Sequence, residues 1–248
     1  MRILILRHAD PDYAVDGLTP QGQKEAKLLA AYLASHVTNI SAFYVSPLGR
    51  AQKTLAAISP FYPETPIMVC DWLHEFRGAM HDLPNRPGVA APSCWDLWPK
   101  TMAENPELYS PEHWRDCSFM KEHSINVLSE YDKVVTEFDK ILVLHGYQRN
   151  GNVYSVTHSN HDVIAFVCHY GVGSVLLSRL MNCSPYSLWE NICLLPSSLT
   201  EFVSEERLEG IAHFRALQIG STAHLAIGGE NPSFAARFCE CFNDDTRH

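Results

Sequence analysis

A chain of 248 residues with 46% apolar side chains has the material for a sizeable buried core. Its formal net charge of -9, with no basic tail and no lysine–aromatic interleaving, argues against nucleic acid, which needs a positive footprint. A small phosphorylated molecule stays compatible with this balance, because a few converging cations set a local potential against the global sign. The eight cysteines are scattered and several lie in apolar contexts, as in a reducing compartment. Cys239 and Cys241 form an isolated CxC without a second pair, a poor zinc site. Arg7 and His8 interrupt the early apolar run, so no signal peptide is read there, and no stretch approaches transmembrane length. The expected setting is cytoplasmic, with no membrane partner.

Residues 3–6 form a short apolar run of the kind that makes a buried parallel strand, and Pro11 stops pairing beyond it. Arg7 and His8 fall at the carboxyl end of that strand, where open α/β sheets bind ligands. A loop then leads to a helix start, with Thr19 as N-cap and Pro20 in the first helical position. The helix runs to about His36, with Ala26, Leu29, Ala30 and Leu33 as its apolar stripe. Residues 41–45 read as a second strand. Ser46-Pro47-Leu48-Gly49-Arg50 comes next and opens a helix to about Ile58, so Arg50 lies near a helix N-terminus that favours an anion. Three prolines carry the chain to a third strand at 67–70, and Asp71, His74 and Glu75 come just after it.

Residues 79–117 are rich in proline and tryptophan with weak periodicity, and read as an insertion or lid over the carboxyl edge of the sheet, with a short helix near 95–102. One long amphipathic helix is expected over 118–145, then a polar turn at 147–152. A strand at 163–168 ends in His169-Tyr170-Gly171, and a helix is expected over 174–181. Strands at 198–203 and 212–219, joined by a turn at 205–207, suggest an antiparallel pair at a sheet edge. Residues 243–248 read as a frayed end. No internal repeat is present. The whole forms one domain over 1–248: a three-layer α/β/α fold with a mostly parallel central sheet and an antiparallel edge strand.

Four strand ends thus supply Arg7 and His8, Arg50, His169 and Glu75. A transferring phosphoryl group needs donors for its equatorial oxygens and a nucleophile in line with the leaving group. Arg7 and Arg50 suit the oxygens. Neutral His8 offers a nucleophilic ring nitrogen, and His169 a further donor. Glu75 is the nearest proton donor to the departing oxygen, with His74 and Asp71 as competitors. Arg77, His81 and Arg86 are candidates for a second anionic group on the substrate. Trp95, Trp98 and Trp114 are candidates for an aromatic wall or for packing. His158, His161 and Asp162 superficially suggest a metal site, but no motif spacing supports it, which leaves them as rim contacts or a minor alternative.

These residues carry a family resemblance. Arg7-His8-Ala9, the run Ser46-Pro47-Leu48-Gly49-Arg50-Ala51-Gln52-Lys53-Thr54, the set Leu73, Glu75 and Gly78, and His169-Tyr170-Gly171-Val172 occur in the order found in the histidine phosphatase superfamily. The chain resembles the branch that contains cofactor-dependent phosphoglycerate mutases and broad-specificity phosphatases. The resemblance implies a phosphoglycerate mutase-like fold, a phosphohistidine at His8, a phosphate pocket of Arg7, Arg50 and His169, and Glu75 as proton donor. It implies neither cofactor nor metal. The chain departs from the family's common pattern at Asp10-Pro11-Asp12 and at Tyr170 between His169 and Gly171, and Phe76-Arg77-Gly78 only faintly echoes the longer run that the mutases carry after the glutamate. These departures favour a phosphomonoesterase over a phosphoglycerate mutase-like phosphotransferase. A catalytically silent phosphate-binding or interaction protein is the reading from a different class. A monomer or homodimer is expected.

Overall fold

The structure is a computed structural model that describes residues 1–83, 91–95, 97–234, 241 and 243. β1 (Arg2–Arg7) is buried from Ile3 onward. Ile3 and Ile5 face one helical layer, Leu4 and Leu6 the other. An uninterrupted apolar run is what a strand covered on both faces requires. A small ribbon of β2 (Pro11–Asp12) and β3 (Gly17–Leu18) leads into α1 (Pro20–His36). This helix starts as the sequence predicts: Thr19 Oγ1 accepts the Gly22 N–H at 3.0 Å, and Pro20 occupies the first turn.

β4 (Ala42–Val45), α2 (Gly49–Ile58) and β5 (Ile67–Val69) come next. After them come α3 (Pro99–Glu104), α4 (Ser118–His123) and α5 (Val127–Leu144). A hairpin of β6 (Tyr147–Asn150) and β7 (Val153–Val156) precedes β8 (Val163–Cys168) and α6 (Tyr170–Met181). The last elements are α7 (Tyr186–Trp189), β9 (Leu199–Leu208), β10 (Ile211–Ser221) and α8 (Ala223–Ile227). The strands form one sheet in the order β5-β4-β8-β1-β9-β10-β7-β6. β5, β4, β8 and β1 pair in parallel, and every later pairing is antiparallel. Helices α1 and α2 cover one face, and α5 and α6 the other, which makes three layers.

The details differ from expectation in four places. The antiparallel edge is four strands wide, because residues 147–156 pair as a hairpin instead of ending in a turn. The helix expected over 118–145 breaks at residues 124–126. There the Ile125 N–H bonds the Ala79 carbonyl, and Asn126 accepts from the Ala79 N–H at 2.8 Å. Asn126 also donates to the Arg77 carbonyl at 3.2 Å, so tertiary bonds and a residue prone to local hydrogen bonding override the helical pattern. Residues 205–207 continue β9 because Glu205 pairs across the ladder with His213 and Arg215, and the turn comes at Gly210 with φ +79°. From the described residues of the insertion, Met80, Cys94, Leu97, Met102, Leu108 and Trp114 join the buried cluster of α5 and α6. Its short helix lies over 99–104, not 95–102.

Candidate active site

β4, β8 and β1 are neighbours with the same direction, so the segments that leave their carboxyl ends emerge together at one edge of the sheet. That edge brings Arg7 and His8 together with His169 and the Ser46–Arg50 turn. The rings of His8 and His169 lie 5.0 Å apart. Arg7, His8, Ser46 and His169 are all buried. Glu75 reaches the same place from the turn after β5. Its Oε1 accepts from the N–H groups of Phe76 (2.8 Å), Gly171 (2.9 Å) and Val172 (3.2 Å), the last two in the first turn of α6.

The two arginines are held alike. Arg7 Nη1 donates to the Leu194 carbonyl at 2.5 Å, and its guanidinium lies 5.9 Å from the Tyr170 ring centre. Arg50 Nη1 donates to Asp16 Oδ1 at 2.8 Å, and its guanidinium lies 5.4 Å from the Tyr13 ring. Asp16 Oδ2 also takes the Gly49 N–H at 2.6 Å. In both arginines the Nε–H is buried and has no partner among the described residues. Thr54 links the two motifs, accepting from the Ala9 N–H at 3.0 Å and donating to the Arg50 carbonyl at 2.8 Å.

The histidines are fixed by their hydrogen bonds. His8 Nδ1 lies 2.8 Å from the Ala9 carbonyl, an acceptor only, so the ring proton sits on Nδ1 and Nε2 keeps its lone pair. Burial, then the charge of Arg7, pushes the His8 pKa well below 6.5, and the ring is neutral. His169 Nε2 lies 2.7 Å from Ser46 Oγ. That oxygen also accepts from the Leu48 N–H at 3.2 Å, and His169 Nδ1 is a buried atom with no partner among the described residues. Burial and then His8 push the His169 pKa down as well. The Glu75 carboxyl is pushed up, chiefly by burial, against its amide bonds and Arg7. A neutral His8 ring, three buried nitrogens without a partner among the described residues and a carboxyl with a raised pKa therefore meet at this edge of the sheet.

The other expected residues fare differently. Asp71 is exposed and pairs with Lys133 at 3.8 Å. His74 is buried, and its Nδ1 bonds the Glu75 carbonyl at 2.7 Å. Arg77 is exposed, and His81 pairs with Asp82 at 2.9 Å; among the described residues no hydrogen bond joins either side chain to the histidines or arginines above. Arg86 lies outside the described residues, as does Cys239. Trp95 packs near Phe76 and Trp189 beside Gly171, whereas Trp114 is core and Trp98 is exposed. Asp162 is taken by His145 at 2.9 Å, and among the described residues no group of three or more His, Cys, Asp or Glu is arranged to hold a metal. No helix among the described residues is long and apolar enough to cross a membrane. Sequence reasoning missed Ser46 and Thr54 as contributors, although both stand inside the motif run, and it had no signal for Asp16.

Residues 3–146 match the family model of the histidine phosphatase superfamily (branch 1). The chain belongs to that superfamily. No curated protein matches it. Among solved structures it is similar to a phosphoserine phosphatase mutant from Entamoeba histolytica in complex with phosphoserine (15% identity, TM-score 0.55), covering 90% of this chain and 98% of that one. It is also similar to a mycobacterial glucosyl-3-phosphoglycerate phosphatase (17%, TM-score 0.52; 89% and 99%). A third is the alpha-ribazole phosphatase from Shigella flexneri (17%, TM-score 0.51; 90% and 97%). The shared fold is phosphoglycerate mutase-like.

Proposed function

We propose that the chain is a metal-independent phosphomonoester hydrolase that acts on a small phosphorylated metabolite through a phosphohistidine on His8. The observation that carries this reading is the set of buried nitrogens without a partner among the described residues, Arg7 Nε, Arg50 Nε and His169 Nδ1, around a neutral His8; with the Ser46 hydroxyl as donor to Nε2, the His169 proton stands on Nδ1. An isolated buried donor is costly, and a phosphoryl group offers the oxygens that satisfy all of them together. His8 Nε2 attacks phosphorus as the ester P–O bond breaks, and Glu75 gives its proton to the leaving oxygen. Glu75, now a carboxylate, takes a proton from water, which attacks phosphorus and breaks the P–N bond. Free phosphate leaves, and His8 and Glu75 return to their starting forms. The three similar solved structures are named as phosphatases of small phosphomonoesters, which supports hydrolysis over mutase transfer.

The test is hydrolysis of p-nitrophenyl phosphate in EDTA by wild type and His8→Ala, with mass spectrometry at alkaline pH to find a phosphoryl adduct on His8. Activity that survives EDTA and vanishes in the variant is expected. Undiminished hydrolysis by His8→Ala sinks the phosphohistidine, and loss in EDTA points to a metal. Phosphoryl transfer within one substrate with little free phosphate marks a mutase.

A further inference from the structure

The Tyr170 phenol is held by carbonyls of a segment distant in sequence. It donates to the Trp189 carbonyl and lies 3.3 Å from that of Ile192. The indole Nε1–H of Trp189 returns a 3.1 Å bond to the Gly171 carbonyl. The first turn of α6 and the segment 189–194 are therefore tied in both directions.

Two groups of the site hang from this tie. On the helix side, the Gly171 and Val172 amides hold the Glu75 carboxyl. On the segment side, the Leu194 carbonyl takes the Arg7 Nη1–H, while the Tyr170 ring lies against the same guanidinium. A phenylalanine would fill the same volume, so the hydroxyl has a role beyond filling space. We propose that Tyr170 and Trp189 form a clasp that sets the position of Arg7 for a bound phosphate, which makes Tyr170 a positioning residue. This rests on the phosphate-site reading above.

The test uses thermal unfolding of the full chain with and without inorganic phosphate, and does not depend on turnover. A ligand that binds only the folded state raises Tm through RT ln(1 + [L]/Kd), so the rise reports its affinity. Loss of the Tyr170 hydroxyl is expected to weaken phosphate about tenfold and to shrink the rise at fixed phosphate. Trp189→Phe, which breaks the return bond, shrinks it too, and carries the test if Tyr170→Phe does not fold. The double variant loses no more than the larger single effect, because the two act as one unit. A purely structural hydroxyl lowers Tm equally with and without phosphate; an unchanged rise in Tyr170→Phe therefore overturns the clasp while the phosphate site stands. A wild type whose Tm ignores both phosphate and vanadate overturns the phosphate site, and the clasp with it.

Discussion

Ser46→Ala tests the tautomer argument with the loss of one oxygen atom. In the proposed mechanism the hydroxyl gives its proton to His169 Nε2 at 2.7 Å while accepting from the Leu48 N–H, which puts the ring proton on Nδ1. Both groups are buried, so the alanine leaves a ring nitrogen without a partner. His169 is then free to move its proton to Nε2, which withdraws the Nδ1–H donor from the phosphoryl oxygens. Restoring the productive tautomer costs about 1 kcal/mol, the usual net value of a neutral hydrogen bond, or about fivefold in kcat/KM. Removal of the whole donor in His169→Ala is expected to cost about 3 kcal/mol, more than a hundredfold. The assay is kcat/KM on p-nitrophenyl phosphate, paired with nitrogen NMR of the imidazole to locate its proton. Full activity in Ser46→Ala, or a wild-type proton on Nε2, refutes the reasoning.

In the proposed mechanism Glu75 works while protonated, and burial raises its pKa, so kcat is expected to fall as pH rises through that raised value. The pKa values of His8 and His169 are pushed well below 6.5, chiefly by burial, so loss from their protonation is expected only on the acid side of that value. Glu75→Gln should lose both most of kcat and the basic limb; a limb that persists in the variant belongs to another group. Gly171→Ala places a Cβ 2.8 Å from Glu75 Oε1 and 3.0 Å from Trp95 Cζ3. Overpacking of about 1–3 kcal/mol should appear as a lower Tm together with reduced kcat, and unchanged melting would show that the contact yields freely. Glu25, fully buried in α1, has its pKa raised by burial from 4.5 to about 7. The folded state thus favours its protonated form, and at most about 3 kcal/mol of stability, full below pH 4.5, is lost as pH rises through 7. Urea melts of Glu25→Gln should show that slope flattened, and an identical slope would assign it elsewhere.

The parts of the site visible in the sequence are those carried by strand ends. Arg7, His8, Arg50 and His169 each come after an apolar run, and a parallel sheet has few ways to place such residues other than side by side. The hidden parts depend on distant chain segments meeting. Nothing near Arg50 marks Asp16 as its partner, and nothing near Arg7 marks the Leu194 carbonyl. Asp10, which departs from the family's wording, turns out to secure the start of α1. Its carboxylate accepts from the Thr19 hydroxyl at 2.6 Å, its carbonyl from the Thr19 N–H at 3.1 Å, and its own N–H donates to Glu25 at 2.9 Å. The break at 124–126 escaped for the same reason: helical spacing continues through it, and contacts with residues 77–81 interrupt the helix.

β1 has a parallel neighbour on one side and an antiparallel one on the other. At its carboxyl end, chains depart from β1, β4 and β8 while another arrives to begin β9. The departing chains carry the side chains of the site. The arriving chain meets Arg7 and His8 with its backbone: the Ser198 carbonyl takes the Arg7 N–H at 3.1 Å, the Ser197 N–H bonds the His8 carbonyl at 3.0 Å, and the Leu194 carbonyl holds the guanidinium. Peptide groups survive any substitution other than proline. Residues 194–198 thus brace Arg7 and His8 through main-chain groups, along a path set in part by Ser197, whose φ is +58° and whose Oγ lies 2.9 Å from His224 Nε2.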